Sequence, residues 1–263
     1  MKSHDVDFQL YGNDMQFVEI ELDPKETVIA EAGAMMMMDQ NIEMETIFGD
    51  GSKKSSSGLF GALGGAAKRV LTGESLFMTA FTNAGNNKER VSFASPYPGK
   101  IIPVDLSLVG GKLICQKDAF LCAAKGVSVG IDFRKKLSVG FFGGEGFILQ
   151  KLEGDGLCFI HAGGTIVKKE LIPGQKLKVD TGCLVAMSKD IHYDIEFVGG
   201  IKNTLFGGEG IFFATLTGPG DVWIQSLPFS RLASKVFASA PQNYGDQRGE
   251  GSILGSFGNM FEK

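Results

Sequence analysis

The pentapeptide FGGEG occurs twice, at 142–146 and 206–210, and the match runs well beyond it. At the same offset of 64 residues, "KLICQKDAFLCAAKGVSVGIDF" (112–133) lies over "KLKVDTGCLVAMSKDIHYDIEF" (176–197) without a gap. Gly154 and Gly156 then meet Gly218 and Gly220, after which one extra residue, Asp221, enters the later copy. A more diverged copy opens the chain. There "VIAEAGAMMMMDQNI" (28–42) overlies "LKVDTGCLVAMSKDI" (177–191), and Gly73-Glu74 takes the place of Gly144-Glu145 and Gly208-Glu209. Such self-similarity restricts the fold to like units joined in tandem, and three units account for most of the chain.

Each unit reads as strands. Val91 and Phe93 reappear as Leu157 and Phe159, and as Val222 and Ile224, with the two-residue period of a strand face. Turn signals (GNN, YPG, VGG, EGDG, IPG, TGPG) fall at the spacing of a β-sandwich or barrel, and no strand–helix alternation appears. The expected fold class is all-β. The same pattern decides what FGGEG is. A phosphate-binding glycine loop stands between a strand and a helix, whereas FGGEG leads into the strand-like "FILQKLEGDG" and "IFFATLTGPG". Gly73, Gly144 and Gly208 are therefore candidates for turn positions that need positive φ or close backbone approach. Glu74, Glu145 and Glu209 are candidates to accept hydrogen bonds from the turn amides.

Charge and cysteine usage narrow the function. Twenty-six basic residues against thirty acidic ones leave a net charge of −4, which argues against nucleic acid as a partner. Cys115, Cys122, Cys158 and Cys183 form no CxxC pair and sit in apolar runs, so they read as buried reduced thiols. The start "MKSHDVDFQL" is polar and no apolar run is long enough to span a bilayer. The expected compartment is the cytoplasm, with peripheral membrane association as a further possibility.

Candidate sites are few. Met35 to Met38 suggest a soft-metal or adaptable surface, but their register with 120–123 and 184–187 points to a central strand covered on both faces. Of the three histidines, His4, His161 and His192, none forms an HxH pair. His161, aligned with Ser95 and Ser226, reads as a polar turn residue and is the one ligand candidate. The basic pairs Lys135-Lys136 and Lys168-Lys169 stand alone, without interleaved aromatics. No catalytic, cofactor-binding or metal-binding set is assigned.

The stretches "YGNDMQFVEIELDPKETVIAEAGAMMMMDQNIEMET", "LTGESLFMTAFTN", "FGGEGFILQKLEGDGLCFIHAGG" and "VWIQSLP" resemble the bacterial branch of the altered-inheritance-of-mitochondria protein family, over about residues 8–235. The resemblance implies three short double-stranded β-helix subdomains, each like the tryptophan RNA-binding attenuation protein. It also implies a link, through eukaryotic relatives, to mitochondrial inner-membrane organisation and respiratory-complex assembly. It supplies no catalytic residue.

The expected organisation is one β body over 1–241, with repeats at about 1–100, 101–165 and 166–228 in pseudo-three-fold arrangement and a short C-terminal helix. Residues 49–75 form an insertion with a short helical stripe, and 242–263 a flexible tail. The expected function is a non-catalytic scaffold or assembly protein that takes no cofactor. The alternative is a small-molecule or RNA binder using grooves between subdomains. Exposed strand edges call for a homo-oligomer, with a trimer as the first arrangement to test, and for a protein-complex or peripheral membrane partner.

Overall fold

A computed structural model describes residues 2–48, 77–135, 147–197 and 212–239. After β1 (Asp7–Tyr11), the first unit runs β2 (Phe17–Leu22), β3 (Thr27–Glu31), β4 (Met35–Met38), β5 (Ile42–Phe48), β6 (Phe77–Asn83) and β7 (Glu89–Ala94). The second runs β8 (Gly99–Asp105), β9 (Lys112–Gln116), β10 (Phe120–Ala124), β11 (Ser128–Lys135), β12 (Phe147–Glu153) and β13 (Leu157–Gly163). The third runs β14 (Ile166–Leu171), β15 (Lys176–Asp180), β16 (Leu184–Ser188), β17 (His192–Phe197), β18 (Phe212–Thr217) and β19 (Gly220–Gln225), and α1 (Phe229–Ser239) follows. The described fold is all-β, followed in the chain by one helix.

Lettering the strands of a unit a to f in chain order exposes one pairing rule. In every unit a pairs with f, f with c, b with e and e with d, all antiparallel. Units are joined by a second rule: strand b of one pairs with strand c of the next, as β3 with β10 and β9 with β16. The sheet orders that result are β1-β2-β7-β4, β5-β6-β3-β10-β13-β8, β11-β12-β9-β16-β19-β14 and β15-β18-β17.

A bulge recurs at one place in each c–f ladder, between Met35 and Met37, Phe120 and Cys122, and Leu184 and Ala186. It aligns Phe93 with Ile160 and Ile224, and Val91 with Cys158 and Val222. The offset of 64 therefore holds through β13 and β19, and Asp221 is no insertion. The alignment of Val91 and Phe93 with Leu157 and Phe159 is one residue out of register.

The core forms three clusters, and each crosses a unit boundary. The first unit's Val18, Ile20, Phe81 and Phe93 pack with Leu121, Cys122 and Phe159 of the second. Leu113, Phe120 and Ile160 pack with Val185 and Trp223 of the third. Between strands the buried Asn83 amide donates to the carbonyls of Leu22 and Asn87 (both 2.8 Å) and accepts from Gly85 N. Close approach fixes Gly99, where an added Cβ would stand 1.9 Å from the Ala162 carbonyl oxygen.

The chain divides into two compact units, Met1–Ser230 and Arg231–Lys263. The described part of the second is the remainder of α1, where Val236 and Phe237 are exposed. The expected insertion at 49–75 and tail at 242–263 lie outside the described residues.

Candidate functional site

His161 is the one ligand candidate that the sequence offers, and it is no turn residue. It lies inside β13, opposite Ile101, and is 1% exposed. The corrected register makes its counterparts Gln225 and Ala94, rather than Ser226 and Ser95. Gln225 shows what the position does. Its Nε2 donates to the Gly182 carbonyl (2.8 Å) and its Oε1 accepts from Gly163 N (2.7 Å). Gly182 belongs to the 3-10 turn Thr181–Cys183 that links strands b and c, and Asp118 holds the same place in the turn Lys117–Ala119. His161 hydrogen-bonds the Asp118 backbone, so histidine and glutamine do one job: tying strand f to the b–c turn.

Burial drives His161 down from 6.5 to about 4, against the opposing pull of the Asp118 bond, so the imidazole is neutral at pH 7. Its Nδ1 is buried without a hydrogen-bond partner among the described residues. The Tyr97 ring meets it edge-on at 5.0 Å, and Phe229 lies 5.4 Å beyond Tyr97. Burial also raises Tyr97 to about 12, helped by Asp118 and Glu31. Glu31 is raised to about 7, first by burial and then by Asp118, with Lys117 opposing. Among the described residues no cluster of three or more His, Cys, Asp or Glu is placed to hold a metal ion. Burial pushes the thiols of Cys115 and Cys122 up and that of Cys158 to about 12, while Cys183 is only partly buried.

The methionine run departs furthest from expectation. β4 is an edge strand, not a central one. Met36, Met37 and Met38 are 44%, 46% and 39% exposed, although their counterparts Leu121, Cys122 and Ala123, and Val185, Ala186 and Met187, are all 0–1% exposed. The difference is one missing neighbour: β10 and β16 each lie against a b strand, and β4 does not. Eight of the described strands form the sheet edges, and β4 alone among them carries neither a charged residue nor a proline.

A profile of the family described as mitochondrial biogenesis AIM24 matches residues 8–227. The chain belongs to that family. An uncharacterised protein of Streptococcus pyogenes serotype M6 is 30% identical to it over 226 residues, which span 84% of this chain and 86% of that protein. A crystal structure of a Streptococcus pyogenes protein matches with a TM-score of 0.70 at 24% identity, covering 89% of this chain and 100% of that one. At that identity the likeness establishes the fold alone.

Other residues singled out in this AIM24 chain fall into place or out of view. Gly73, Glu74, Gly144, Glu145, Gly208 and Glu209 lie outside the described residues. Lys168 is held 2.8 Å from Asp221 and 5.1 Å over the Trp223 ring. His4 fixes the N-terminal segment, its Nδ1 accepting from Thr27 N (2.9 Å). No helix among the described residues is long and apolar enough to cross a membrane. Sequence reasoning missed β4 as a site because its residues look like core; the available signal was a lack of gatekeeping charge on a strand that no described b strand covers.

Proposed function

We propose that this AIM24-family chain is a non-catalytic scaffold that holds protein assemblies together through strand edges, in the cytoplasm or at a membrane surface. The observation that carries the reading is β4, an apolar edge left 39–46% exposed at Met36, Met37 and Met38 while its two counterparts are buried. Flexible, polarisable methionine side chains suit an adaptable interface, and an open strand edge offers backbone hydrogen bonds to an incoming strand. The rival reading, a small-molecule or RNA binder using grooves between subdomains, has the burial of His161 against it. The test is affinity purification from the native cell with wild-type protein and a Met36→Glu/Met38→Glu variant. The scaffold reading expects proteins held by the wild type to be lost from the variant. The same set on both, or none on either, refutes it.

A further inference from the structure

Strands b and c meet twice in this chain, and each time in the same register. Cys122 faces Ala30 and Ala123 faces Ile29 where β10 meets β3. Ala186 faces Cys115 and Met187 faces Ile114 where β16 meets β9. Three tandem units supply three b strands and three c strands but, among the described strands, only two such joints. One c strand, β4, and one b strand, β15, therefore keep their joining edges unmatched, and the two are not paired with each other.

We propose that β4 of one copy takes β15 of a second copy as its antiparallel neighbour, continuing the b–c joint between chains. The inference rests on the scaffold reading and names the occupant of the same edge. The internal joints fix the register: Met37 faces Val179, Met38 faces Lys178, and Asp39 faces Leu177. The backbone pairing of that joint already occurs twice within the chain. The exposed Met36, Met37 and Met38 then acquire the cover that their counterparts have. Lys178 stands where Ile29 and Ile114 stand in the internal joints. Its aliphatic stem covers Met38 while its ammonium remains 3.2 Å from Glu196. Backbone polarity agrees. Lys125 N donates across the internal joint to the Thr27 carbonyl (3.0 Å), so Ala123 N, two residues back, points the same way. The counterpart of Ala123 is Met38, whose N–H therefore faces the open side. The contact is heterologous, so copies add head to tail and close into a ring where the rotation per copy divides a full turn.

The experiment uses the full chain in a Cys183→Ser background. Met38→Cys protein and Lys178→Cys protein are mixed and treated with a short thiol cross-linker, with Lys176→Cys as the two-residue slip control. Linked dimers from Met38→Cys with Lys178→Cys, and not from Met38→Cys with Lys176→Cys, are expected. Wild type should sediment above one-chain mass, and Met38→Pro, which removes the outward N–H, should sediment at one-chain mass. Three results overturn the proposal: a Met38→Cys protein that links to itself, a Met38→Cys/Lys178→Cys double variant that links within one chain, or wild type at one-chain mass without mixed links. Failure here with edge-dependent capture of other proteins leaves the scaffold reading standing. Mixed links without any such capture remove the scaffold reading and keep the joint.

Discussion

Replacing His161 by glutamine should flatten the acid side of the stability profile, because the third unit already uses glutamine in that place. The native imidazole titrates near 4 and an unfolded one near 6.5, its burial being the main cause. Between those values the unfolded chain takes up a proton that the native protein refuses, so falling pH favours unfolding. The contribution is whole above pH 6.5 and is lost as pH falls to about 4. At about 1.4 kcal/mol per pH unit the loss is roughly 3 kcal/mol. The introduced glutamine has no proton to take, and its carboxamide has the donor needed for the Asp118 backbone, as Gln225 has for Gly182. Urea denaturation of wild type and His161→Gln from pH 4 to pH 7.5 gives the measurement. The difference between them should move by about 3 kcal/mol in favour of the variant from pH 7 to pH 4. His4, also lowered by burial and by Lys125, is common to both and cancels. A pH-independent difference would refute the argument, since His161 would then bind protons alike in the native and unfolded chains.

Glu31→Gln should act on the opposite limb. The native carboxyl titrates near 7 against 4.5 when free, so wild type loses up to about 3 kcal/mol as pH rises from 4.5 to 7, and the variant, read by the same denaturation series, does not. Gly99→Ala should cost about 3 kcal/mol or more, because its Cβ meets backbone at Ala162. Gly174→Ala, with φ 79° and nothing within 4 Å of its Cβ, should cost only about 1–2 kcal/mol by the same denaturation series. In native protein a maleimide should label Cys183 first, and Cys115, Cys122 and Cys158 should react only after denaturant is added; equal rates at all four would contradict their burial.

The repeat at 64 residues is readable because paired strands constrain both faces of a unit, and β9 to β12 recur as β15 to β18 in the same pairings. The sequence alignment slips by one at β13 and β19, where both copies are apolar runs and residue type cannot tell one register from the next. Only the bulge and the side-chain bond to the b–c turn fix it there, and both are long-range features. That slip alone misplaces His161. The methionine run misleads for another reason. Its sequence matches its buried counterparts, and burial depends on a neighbouring b strand, which β4 lacks among the described strands.

Duplication makes units interchangeable and leaves the two ends of the array unequal, and the sequence treats those ends differently. β15 carries Lys176 and Lys178, the second at a position where the earlier units have Ile29 and Ile114. Two β15 strands brought together antiparallel would set ammonium groups near one another, which disfavours self-pairing. β4 has four methionines and no charge, so it repels nothing and accommodates an irregular partner. A blunted edge and an adaptable one select against symmetric contact at β15 while leaving the mixed contact open. In the proposed joint that asymmetry favours head-to-tail addition of copies, in the sense in which the units already run within the chain.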